Sequence, residues 1–256
     1  LKKGSRHLDK GFLLWQGLEM GSSQQKGFGW PHVLFAILLF VVIGIIFTPI
    51  VLRESHLGDR EVLNNAKAIA SGLAAFREEY GTYPCAETRE VLHKADKPIL
   101  EYSYDESWIR EADDANAYLA QLIVTDIIDD EVVFYASGVK GAIKGDTIKG
   151  TADTLLSIGK NSFIYLMVKD QKPLTDISSM PPLVMAPIKA KGEIPVFDPG
   201  PYADKYIYGA VDGSGKVGDI DQNGRAKSKG RTNLFQTGPD SLFGDQVPVV
   251  KYPLGF

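Results

Sequence analysis

The sequence predicts an α+β protein in which a long N-terminal helix, membrane-spanning at its start, packs on a C-terminal head with a small antiparallel sheet. Three observations predict it. Residues 33–52 form 20 consecutive positions without a charge. An apolar stripe of helical period follows over 57–80. Beyond it, one more helical pattern precedes several short β-branched and aromatic runs, and helices followed by strands point to α+β rather than to alternating α/β.

The apolar run comes first. At ~1.5 Å per residue, 20 residues reach ~30 Å, the hydrocarbon thickness of a bilayer. The run is longer than a secretory h-region and ends in Pro49-Ile50-Val51-Leu52-Arg53 rather than at a small-residue cleavage site. Lys2, Lys3, Arg6, Lys10 and Lys26 precede it against only Asp9 and Glu19. The positive-inside rule therefore places the N-terminus in the cytoplasm and everything after 52 outside, with Trp30 as an interfacial anchor. The expected organisation is a basic cytoplasmic leader at 1–29, a transmembrane helix at 30–52, an amphipathic extension at 53–84 and an exported α+β head with a loop-rich tail at 85–256.

In the extension, Val62, Ala66, Ile69, Leu73, Phe76 and Tyr80 recur in steps of four and three, one face of a helix. Gly81 and Pro84 are stop signals. A further helix is predicted over 113–128, capped by Asp113 or Asp114, with Tyr118, Leu119, Leu122 and Ile123 inward. Residues 132–136, 162–168, 183–188 and 206–211 read as strands. The tail from 213 to 244 reads as loop.

Composition narrows the function. Formal net charge is −4, too small for nucleic-acid binding by bulk electrostatics, so no nucleic-acid partner is expected. A single cysteine, Cys85, forms no intrachain disulfide and no cysteine zinc site. Four histidines show no metal-ligand spacing. Asp126, Asp129, Asp130 and Glu131 read as a solvated helix end rather than an acid–base pair. Gly213-Ser214-Gly215-Lys216 lacks the spacing of a phosphate loop. No constellation supports catalysis, and the chain is read as a non-enzyme. Asp219, Asp221 and Asn223 match D-x-D-x-N-G, the first half of a calcium loop, but the bidentate Glu expected at its twelfth position is Gly230. Calcium and a turn rich in Asp-Gly and Asn-Gly pairs are both open readings of that segment.

The leader ending in Lys26-Gly27-Phe28, the apolar run, the amphipathic stripe and Tyr80-Gly81-Thr82-Tyr83-Pro84 together resemble the N-terminal module of type IV pilins and type II secretion pseudopilins. Residues 115–138 are similar to pilin-like proteins of the Planctomycetes–Verrucomicrobia bacteria. The resemblance implies processing by a prepilin peptidase between Gly27 and Phe28 and a helix packed among neighbouring subunits. It also implies a place in a type II secretion or type IV pilus-like assembly at the bacterial inner membrane, with the head in the periplasm. Partners would be the lipid bilayer and other pilin-like subunits or secretion components. Calcium in a C-terminal loop is a further implication. His32 stands where most of the family carries Glu, five residues into the processed chain, so the expected pairing with a neighbour's N-terminal amine is missing. A single-pass, membrane-anchored periplasmic binding protein is the alternative.

Overall fold

The computed structural model describes residues 30–94, 111–145, 155–168, 181–228, 233–238, 242–243 and 247–255, with side chains omitted at 31–32, 43–58 and 93–94. Among the described residues, three α-helices precede seven strands: α1 (Trp30–Tyr80), α2 (Ala86–Lys94), α3 (Ala115–Val124), β1 (Ile164–Val168), β2 (Pro182–Ala186), β3 (Ile188–Ala190), β4 (Val196–Phe197), β5 (Lys205–Ala210), β6 (Gly215–Asp219) and β7 (Pro248–Lys251). The α+β class with an antiparallel sheet is therefore correct. The chain divides into two units at Ile50 and Val51.

The transmembrane helix expected over 30–52 is corrected. Among the described residues no helix is long and apolar enough to cross a membrane.

In the second unit, the predicted stripe of α1 holds. Val62, Ala66, Ile69, Leu73 and Phe76 are fully buried. The helix stops at Tyr80 because Gly81 takes φ +76°, where its N–H reaches the Arg77 carbonyl at 2.9 Å. α3 starts at Asp114, whose carboxylate accepts from the Ala117 N–H. Its Tyr118, Leu119, Leu122 and Ile123 are buried as expected.

Five strands form one antiparallel sheet in the order β6-β5-β2-β1-β7, and β3 and β4 pair separately. Side chains alternate across the sheet. Tyr165, Val184 and Ile207 join the helices in one core. Ile164, Leu166, Met185 and Tyr206 face a second core closed by Phe197, Ile220, Phe235 and Phe243. Both faces are thus covered, which explains why the run at 183–188 is continuously apolar.

Two local expectations fail. Residues 132–136 are not a strand. Glu131–Phe134 is a 3-10 helix, with the Asp130 side chain capping the Val132 N–H at 2.8 Å. The 213–244 tail is not loop throughout, since β6 lies inside it and pairs along its length with β5. β6 carries two glycines and charged residues, so alternation could not reveal it.

Glycines set how closely α1 meets the sheet. A Cβ at Gly209 would overlap the Ala66 carbonyl oxygen and come within 2.8 Å of the Ala70 Cβ. A Cβ at Gly215 would lie 2.7 Å from the Leu63 carbonyl oxygen. Helix backbone therefore rests on strand backbone. Gly209→Ala should cost at least about 2 kcal/mol by chemical denaturation, because backbone must move to admit the methyl group. An unchanged denaturation midpoint would show that the contact is looser than this geometry.

Candidate functional site

Two features outside the apolar cores were singled out from sequence, the calcium-like loop and the apolar opening of α1. The first contains a turn. Asp221 Oδ1 accepts the backbone N–H groups of Asn223 and Arg225, both at 2.8 Å, and the Gly224 N–H bonds to the Asp221 carbonyl at 2.9 Å. Gly224 takes φ +76°. The Asp219 carboxylate pairs with Lys205 on β5, and that hydrogen bond holds its pKa below the usual range. Asp221 therefore satisfies backbone donors of its own turn, as Asx residues do, and Asp219 clips a hairpin. Among the described residues, no group of three or more His, Cys, Asp or Glu is placed to hold a metal ion. Nearby, Asp212 accepts from Ser214 in the β5–β6 turn. Gly230 lies outside the described residues.

The carboxylate cluster divides. Asp126 and Asp129 are exposed, as expected, but Glu131 is buried, which corrects the solvated reading. Its Oε1 accepts the Leu156 N–H at 2.7 Å and its Oε2 pairs with Lys160 at 2.7 Å. Beside it, Asn116 donates to the Leu156 carbonyl at 2.5 Å and accepts from Asn161 at 3.2 Å and from the Leu254 N–H at 2.9 Å. This network fastens four segments of loop and helix. Every described bond in it goes to a structural partner, and none is aimed at open space.

A third polar cluster surrounds Cys85. The buried thiol accepts from Thr88 Oγ1 at 3.5 Å, and Gln121 bridges Thr88 and the Cys85 carbonyl. Tyr165 donates to the Pro84 carbonyl at 3.1 Å, which ties the Gly81–Pro84 turn to β1. Burial pushes the Tyr165 hydroxyl well above its usual pKa. Near it, Asp113 accepts from Tyr118 at 2.5 Å and from Lys251, whose hydrogen bond draws the Asp113 pKa down. These contacts anchor the helices to the strands.

The opening of α1 differs in kind. All ten residues from 33 to 42 are exposed and all are apolar, with Phe35 at 66%, Leu38 at 62% and Phe40 at 73%. Ten residues make nearly three turns, so apolar side chains point in every direction around the axis. Such a helix is stable in water only when covered. Trp30 precedes this surface at 79% exposure. The signal was legible in the sequence, but read there as lipid-facing. Gly27 and Phe28, the processing residues implied by the resemblance, lie outside the described residues. No family model, curated protein or solved structure matches the chain.

Two predictions follow from the polar clusters. Asp221→Ala should lower stability by about 1 kcal/mol equally with calcium and with chelator, because its loss is that of turn hydrogen bonds. A calcium-dependent rise in Tm that the variant abolishes would overturn the turn assignment. The buried Tyr165 hydroxyl titrates higher folded than unfolded, so its stabilisation is complete below the unfolded value of about 10 and is lost as pH rises above it. Tyr165→Phe should flatten the loss of Tm above pH 10. A slope identical to that of the parent chain would assign the alkaline loss to other tyrosines.

Proposed function

We propose that this protein is a non-catalytic, pilin-like subunit that assembles with other copies through the opening of α1, in a type II secretion or type IV pilus-like system. The observation that carries this reading is the apolar surface at 33–42. One neighbouring helix covers a stripe of roughly 100°. A surface apolar on all sides therefore needs several neighbours at once, which is what a bundle of like helices supplies. Burying each large side chain there contributes about 1.5–3 kcal/mol, and ten adjacent positions make the drive to associate strong.

The head supports the same reading. Its α1 stripe is fixed on an antiparallel sheet, and its buried polar groups hold structure together rather than face a cleft. A subunit of an assembly needs a rigid body of this kind and no reaction centre. The resemblance at 26–84 adds peptidase cleavage after Gly27, leaving Phe28 as the first residue of the working chain. Mass spectrometry of the mature N-terminus reads that step directly.

Leu38→Lys in the full-length chain tests the assembly. After detergent dilution, the parent chain should give cross-linked species larger than dimers. The variant should give none, with an unchanged Tm for the head, because Leu38 is absent from both cores. A parent chain that stays monomeric, or that inserts into phospholipid vesicles without cross-linking to copies, would overturn the reading in favour of an anchored binding protein.

A further inference from the structure

The turn between Ile220 and Ala226, whose backbones meet in an antiparallel bridge, holds a chemically labile pair. Of the six asparagines in the sequence, at 64, 65, 116, 161, 223 and 233, only Asn223 precedes a glycine. Glycine has no Cβ to shield its own amide nitrogen from the side chain before it. Asn223 is exposed, and among the described residues its side-chain amide has no hydrogen-bond partner. Other asparagines are committed. Asn116 and Asn161 are buried and bonded to backbone groups, and the Asn65 amide donates to the Tyr135 carbonyl at 2.8 Å. The nitrogen of Gly224, in contrast to the Asn223 side chain, is held firmly. Its N–H donates to the Asp221 carbonyl at 2.9 Å, and its carbonyl accepts from the Phe197 N–H at 2.7 Å. Gly224 is buried, and a Cβ built on it would lie 2.7 Å from Val196 Cγ1 and 2.9 Å from the Phe197 carbonyl oxygen. Asp221 Oδ1 fixes the N–H groups on either side, at 223 and 225.

We propose that Asn223 is a self-modification site that the closed turn keeps silent and that opening of the turn releases. The reaction is deamidation. The Gly224 nitrogen gives its proton to solvent base and attacks Cγ of Asn223. An N–C bond forms to close a cyclic imide, the Cγ–Nδ2 bond breaks, and the amide group takes a proton from water and leaves as ammonia. A second water opens the imide at either carbonyl, which leaves aspartate or isoaspartate at 223. Water is the one co-reactant, and no electron is transferred. The closed turn opposes the first step twice. The proton to be lost is engaged by the Asp221 carbonyl, and packing on Val196 and Phe197 keeps the nitrogen from swinging onto Cγ. Either product then resists reclosure. Isoaspartate lengthens the backbone by one carbon, so the N–H groups at 223 and 225 no longer meet one Asp221 oxygen. Aspartate sets a second carboxylate beside the first. The modification therefore makes an opening of this turn permanent, and it frees the Phe197 N–H at the edge of the second core. The site uses no residue of 33–42.

Peptide mapping by mass spectrometry of the full-length chain in detergent, aged in mildly alkaline buffer, tests it. The readout is the amide-to-acid mass gain at 223 together with the isoaspartate isomer. The folded chain should convert at least about tenfold more slowly than the same chain in urea, because reaction awaits local opening. Asp221→Ala should convert about fivefold faster than the folded parent, since one turn hydrogen-bond acceptor is lost. Asp221→Asn, whose side-chain oxygen still accepts both N–H groups, should return the rate to that of the parent. A folded chain that converts as fast as in urea would overturn the proposal, as would an Asp221→Ala rate equal to the parent's. A measurement on the parent alone guards against a variant that fails to fold. With urea added below the unfolding transition, conversion at 223 should rise as hydrogen-exchange protection of the Gly224 N–H falls. Conversion that ignores that protection would equally sink the idea.

Discussion

The second unit depends on a contact between backbones. α1 lies on β5 and β6 where Gly209 and Gly215 replace side chains, and the Ala66 and Leu63 carbonyls occupy the space a Cβ would need. That closeness brings the buried face of α1 within reach of Val184 and Ile207, so that a single apolar core forms from helix, sheet and α3. Interiors are packed near crystal density, and an ångström of separation forfeits much of the dispersion energy. The glycines therefore do more than permit turns. They set the spacing at which the other contacts of that core operate.

Once that spacing is fixed, polar groups decide which loops lie where. Glu131 is withdrawn from water and would be costly alone, but Lys160 and the Leu156 N–H satisfy it. Asn116 and Asn161 complete the arrangement by binding backbone groups at 156, 163 and 254. Around Cys85, Thr88 and Gln121 do the same for the segment after α1. These residues carry titratable or nucleophilic atoms, yet each is spent on holding a loop. A chain that invests its buried carboxylate in this way is organised for rigidity.

What the sequence disclosed, and what it hid, follows from the same physics. Period-3.6 burial is written in side chains, so the α1 stripe and the inner face of α3 were legible, and so were the stops at Gly81 and Pro84. The strands β1, β2 and β5 showed themselves through dense β-branched and aromatic residues. β6 did not, because its position comes from pairing with β5 and not from its own Gly-Lys-Val-Gly-Asp composition. Val132-Val133-Phe134 misled for the opposite reason: strand-like side chains were overruled by Asp130 capping and by the burial of Glu131. The D-x-D-x-N-G spacing was real, but spacing alone does not say whether an Asp oxygen meets a cation or the N–H two residues on. Asp221 meets the N–H.

The two parts of α1 show how one helix can carry two kinds of surface without confusing them. From 33 to 42 no polar side chain breaks the exposed apolar surface, so no one side of the helix is marked out from the others. From 62 to 76 the apolar positions fall on one side, which is committed to the core with the sheet and α3, while Arg60, Asn64, Lys67, Ser71 and Glu78 are exposed. The difference is written in periodicity: where apolar residues recur every three or four positions, one packed layer covers them, and where they are continuous, one layer leaves most of them uncovered.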